Sequence, residues 1–256
     1  MSVLSSEKGV QMAIWGQLAN WQRIWLVALL ALWAALLFGG FVLGEGERRM
    51  PTWTRMASSA VLVAAGWSWY VFSRESPSAP FSLCVAAGMT MGFVGDLFMA
   101  RLIPVDNHVL GGIGAFGAGH VLYIAGMIWY SRAAGLDAPG PRWGALALWL
   151  LIGGAGWYWL VFRGQQVGPL HYVALPYALL LAGTAGLATG LALQQPVFAA
   201  LALGAALFLL SDLILAGQLF SGLHFRLIDD VVWLTYGPGQ MLIVYGAGSA
   251  AGLALL

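Results

Sequence analysis

Phe93-Val94-Gly95-Asp96-Leu97-Phe98-Met99-Ala100 can be laid over Leu209-Leu210-Ser211-Asp212-Leu213-Ile214-Leu215-Ala216, with a small residue before each acid and Leu-x-Met/Leu-Ala after it. Both stretches lie inside apolar segments of membrane-crossing length. An ionised carboxylate in such a segment costs about 2.5 to 3.5 kcal/mol even on lenient insertion scales, so two at matching places imply a shared polar site. Asp96 and Asp212 are therefore the first candidates for chemistry.

Outward from these stretches, composition sets the class. Of 256 residues, 61% are hydrophobic and 8% charged, against about 25% charged in an ordinary soluble domain, and the mean hydropathy is +0.83. The expected fold is all-α, a polytopic membrane protein. A span needs about 20 apolar residues, and cutting where charges and turn residues gather gives eight segments: 24–44, 57–73, 81–100, 109–131, 143–162, 171–193, 197–217 and 228–250. Their connections leave no room for an aqueous domain. The first run, Ile24 to Leu43, is too long for a signal-peptide core and lacks a cleavage site, so it is expected to be retained. Residues 1–22 place Ile14, Trp15, Leu18 and Trp21 at near-helical spacing, continued by Trp25, and read as an interfacial segment ahead of a transmembrane domain over 23–256. Basic residues divide five against six between the two faces, which leaves orientation open. The expected location is a bacterial inner membrane. One cysteine, Cys84, excludes an internal disulfide, and a net charge of +1 gives no reason to expect nucleic acid.

The two aspartates lie 116 residues and four spans apart, so spans 3 and 7 cross in the same direction, as a parallel duplication of spans 3–4 and 7–8 requires. Each acid precedes the end of its segment by four or five residues, about 6 to 8 Å below one membrane face. The next span in each half brings His120 and Tyr123, or Tyr236 and Gln240, back from that face; His120 follows Asp96, and Tyr236 follows Asp212, by 24 residues. One polar layer is expected. Asp229, Trp233, Tyr236 and Gln240 share a helix face, and Gly237-Pro238-Gly239 permits a kink between the last two. Arg101, His224 and Arg226 stand at the rim, where a phosphate would be held. The four histidines form no HxxxH or HExxH pair, so neither a metal nor another cofactor is expected.

Gly95-Asp96-Leu97, Phe116-x-x-x-His120-x-x-Tyr123, Phe208-x-x-Ser211-Asp212 and Thr235-Tyr236 followed by Gln240, in this order, resemble the pattern of the YhhN family, the membrane lysoplasmalogenases. The likeness runs from about span 2 to span 8. It departs in span 8, where adjacent aromatics and Ala-Gln are expected and this chain has Tyr236-Gly237-Pro238-Gly239-Gln240. The resemblance implies hydrolysis of the vinyl ether of a lysoplasmalogen drawn from the bilayer, with Asp96 and Asp212 as acid and base and with His120, Tyr123, Ser211, Tyr236, Gln240, Arg101 and Arg226 around the substrate. Vinyl ether cleavage protonates the outer alkene carbon and adds water to the resulting oxocarbenium ion. Two carboxyl groups can divide these tasks, as they do at a glycosidic bond.

Two other readings remain open at this point. Paired acids at a repeat interface also suit a cation or proton transporter, although such sites usually lie at the midplane. An intramembrane aspartyl protease would need Gly-x-Gly-Asp, and the glycines before Asp96 read Gly92-Phe93-Val94-Gly95.

Overall fold

The computed structural model describes residues 18–46, 49–163 and 166–251. They form eight long helices: α1 (Asn20–Leu43), α2 (Thr52–Ser73), α3 (Ala79–Met99), α4 (His108–Ala133), α5 (Pro139–Trp157, prolonged by a π-helical turn Tyr158–Phe162), α6 (Pro169–Gln194), α7 (Ala199–Phe220, entered by a 3-10 turn Pro196–Phe198) and α8 (Ile228–Ala251). Seven are long and apolar enough to cross a bilayer, which makes this an integral multi-pass membrane protein. The eighth, α8, carries Asp229, Asp230, Tyr236 and Gln240 buried or half-buried along it. Ile14 and Trp15 of the expected interfacial segment lie outside the described residues, and α1 already begins at Asn20.

Helix starts follow from proline and capping chemistry. Proline stands in the first turn of α3, α5 and α6, where its missing N–H is one of the donors a helix leaves unpaired in any case. Asn107 caps α4 by accepting from the Leu110 N–H at 2.9 Å. Helix α2 begins at Thr52, five residues earlier than the apolar run suggests. That correction brings Arg55 inside a membrane helix. At the end of α3 the Leu102 N–H reaches back to the Leu97 carbonyl at 2.9 Å, and Arg101 takes a left-handed φ of 59°. Glycine usually fills this position; a side chain there costs about 1 to 2 kcal/mol.

The packing repeats. Neighbours in sequence pair throughout each half, and the crossing contacts α4–α6 and α2–α8 exchange when α1–α4 are laid over α5–α8. Residue contacts repeat as well. A Cβ at Gly95 would meet the Phe116 ring at 2.7 Å, and Ser211, at the equivalent position, donates to the Val232 carbonyl at 3.1 Å; each pair is separated by 21 residues. A Cβ at Gly88 would meet the Tyr123 ring, and one at Gly204, 116 residues after Gly88, would lie 2.7 Å from the Gly239 carbonyl oxygen, each pair being 35 residues apart; a Cβ at Gly119 would also lie 2.9 Å from the Gly88 carbonyl oxygen. These close approaches need glycine.

One expectation is corrected here. Asp96 stands three residues from the end of α3 and Asp212 eight from the end of α7, about 5 and 12 Å. The equivalence of the two acids rests on their neighbours and not on helix ends. Helix α8 runs unbroken through Pro238, with Gly237 against Leu37 of α1 and Gly239 against α7. Gly237-Pro238-Gly239 thus serves close packing on both sides of the helix.

Candidate active site

A cavity of about 750 Å³ enters from the face where α3 ends and α4 begins, and both Asp96 and Asp212 lie on its wall. Asp96 is buried, 2% exposed. It accepts from the Ser59 hydroxyl at 2.5 Å and lies within hydrogen-bonding reach of the Tyr236 hydroxyl. The chain of donors continues inward: Gln240 Nε2 donates to the Tyr236 oxygen at 3.2 Å, and the Tyr123 hydroxyl donates to Gln240 Oε1 at 3.1 Å. Tyr123 lies one turn beyond His120, but its side chain leans toward the start of α4 and so reaches Gln240. Asp212 is half-buried and accepts from the Tyr177 hydroxyl. Each acid is thus held by a hydroxyl from the helix preceding its own, Ser59 on α2 and Tyr177 on α6, as the duplication requires.

The polar groups form a column and not the single layer expected. Counted from the start of their helices, Tyr236 lies about 12 Å in, and Gln240 and His120 about 18 Å in, near the middle of the bundle. His120 is buried beneath the cavity floor, where its Nδ1 meets Thr184 Oγ1 at 2.8 Å. The Thr184 hydroxyl donates to the Leu180 carbonyl at 3.0 Å, so it accepts from His120, whose Nδ1 carries the proton. Phe208 meets the imidazole edge-on, centroids 4.6 Å apart.

The remaining expected contacts separate. Ser211 lines the cavity, but its hydroxyl is committed to Val232. Arg101 is exposed at the cavity mouth. Arg226 is exposed and stands off the cavity wall. A different cation occupies the wall: Arg55, 5% exposed, whose guanidinium lies 5.4 Å from the Trp233 ring centroid, with Nη2 3.1 Å from Thr52 Oγ1. Reading Pro51-Thr52 as a helix start would have found it. Ser59 carries no such mark, because a serine hydroxyl in an apolar span more often bonds its own helix, and nothing in the sequence around Tyr177 names its partner. Gln218 Nε2 donates to Asp229 Oδ1 at 2.9 Å on the same wall. Among the described residues no three His, Cys, Asp or Glu side chains gather as a metal site.

Against known proteins, the YhhN family model matches residues 50–247, from the residue before Pro51 to the last turns of α8. The chain belongs to the YhhN family. Comparisons with curated proteins and with solved structures give no significant match. The YhhN match covers α2 to α7 whole and contains both aspartates, their hydroxyl partners and Arg55; α1 lies outside it.

Proposed function

We propose that this YhhN-family protein is a membrane hydrolase that cleaves the vinyl ether bond of lysoplasmalogens, using Asp96 and Asp212 as an acid and base pair. One carboxyl group delivers its proton to the outer alkene carbon. The bond electrons of the alkene form the new C–H bond, and positive charge develops on the carbon next to the ether oxygen. The other carboxylate takes a proton from water as the water oxygen bonds to that carbon. The resulting hemiacetal collapses, releasing a fatty aldehyde and the glycerophospho-alcohol. The observation that carries this reading is that two carboxyl groups from equivalent helices wall one cavity. The electrostatics suit a cationic intermediate, because fixed carboxylates and the faces of Trp233, Tyr236 and Phe116 surround the space where charge would develop.

Purified protein in nanodiscs, incubated in D₂O with a lysoplasmalogen, tests the chemistry. The expected product is an aldehyde with one deuterium on the carbon beside the carbonyl. Intact lipid after prolonged incubation would overturn the reading, and proton or cation flux through liposomes without lipid turnover would favour transport.

A further inference from the structure

We infer that the site takes a single-chain phospholipid with its phosphate on Arg55 and its chain in an apolar slot between α4, α5, α6 and α7. This rests on the reading above and adds how the lipid lies. A guanidinium inside a membrane helix is costly unless a polar site needs it. Arg55 lies on the cavity wall, braced by Thr52 and Trp233. It stands one helical turn toward the membrane face from Ser59, which holds Asp96, a rise of about 6 Å. In a lysophospholipid, five single bonds separate phosphorus from the ether oxygen, about 6 Å when extended. A phosphate on Arg55 therefore leaves the ether level with Asp96. Arginine offers a planar fork of donors to phosphate oxygens, and Arg101 and Arg226, both exposed, stay in water.

The chain leaves on the other side. An apolar slot of about 70 Å³ adjoins the cavity, and Met99, Val109, Phe116, Asp212, Leu215 and Leu219 line both. Beyond them the slot runs between Ile113 of α4, Val161 of the π turn and Leu181 of α6. At about 30 Å³ per water in the liquid, a space of this order seats the first methylene groups of a chain beside Asp212; that the lipid has a single chain comes from the reading above. Helix α8 contributes nothing to this slot, because its face beside Asp96 is filled by Tyr236 and Gln240.

Binding to the full-length protein in nanodiscs tests this without catalysis. The probes are a saturated 1-O-alkyl lysophosphatidylcholine, which has no vinyl ether to cleave, and the 1-O-alkylglycerol of the same chain, which has no phosphate. Arg55→Gln should weaken the phosphate-bearing probe by roughly tenfold or more and leave the alkylglycerol within about twofold, with Arg55→Lys between wild type and Arg55→Gln. Ala216→Phe and Ile113→Trp, which fill the slot from facing walls, should weaken both probes. An unchanged affinity of the Arg55→Gln protein for the phosphate probe, or an equal loss for both probes, would overturn the phosphate assignment. Unchanged binding in both slot variants would overturn the chain assignment. Because neither probe is a substrate, these results stand whether or not vinyl ether hydrolysis is found.

Discussion

Tyr236 joins the reacting end of the site to its support: it reaches Asp96 with its hydroxyl and accepts from Gln240. Tyr236→Phe removes a donor to an acid and leaves the Gln240 amide unpaired in a buried place. A hydrogen bond to a charged group is worth about 1.5 to 3 kcal/mol, so kcat should fall roughly 10- to 100-fold with little change in KM. Tyr123→Phe, two bonds farther along the chain, should cost less than about fivefold, since it breaks a neutral hydrogen bond. Equal losses in steady-state kinetics would mean that the column acts as a unit. Asp230 has a different task. It is buried and accepts from the backbone N–H groups of Arg49 and Met50 at 2.8 and 2.9 Å, which ties the start of α2 to α8. Asp230→Ala should therefore lower the unfolding temperature in detergent, by about 1 to 3 kcal/mol of stability or more. An unaltered unfolding temperature would show that this clasp is not needed.

At the scale of helices, glycine decides how closely they meet. Gly119→Ala and Gly239→Ala place a methyl about 3 Å from a backbone carbonyl of the neighbouring helix, and overpacking of this kind costs about 1 to 3 kcal/mol. Gly114→Ala has open space and should be neutral or stabilising by about 0.5 to 1 kcal/mol. Thermal unfolding of the three variants would separate them, and similar curves would refute the close-packing role. The helices themselves were legible in the sequence, since runs of about 20 apolar residues have few alternatives. Their ends were not. Charges marked the boundaries of the apolar runs, whereas caps and prolines set those of the helices, so α2 gained Thr52 to Met56 and α7 gained a turn up to Phe220. For that reason the sequence places Arg55 in a connection, as one of the six basic residues of one face, and sets the two acids at equal depth.

For the whole molecule, the matched octets around Asp96 and Asp212 were enough to foresee the repeated halves, because identical spacing and direction leave few other arrangements. They could not reveal how α3 meets α8, which brings Tyr236 to Asp96, whereas the equivalent pair, α7 and α4, meets through Phe208 and His120. Nor could they say that His120 faces Thr184 beneath the floor, since a helix face points inward without naming its partner. The duplication leaves the acids in unequal settings, Asp96 buried beside the Ser59 and Tyr236 hydroxyls and Asp212 half-buried with that of Tyr177, an asymmetry that the proposed acid and base pair would use. The most direct measurement is aldehyde release from a lysoplasmalogen by purified Asp96→Asn and Asp212→Asn proteins whose unfolding temperatures match the wild type. Asparagine keeps the shape but cannot exchange the proton, so each should turn over at least 100-fold more slowly, the usual range for such groups being about 10² to 10⁴. Wild-type turnover in either folded variant would contradict the paired-aspartate mechanism.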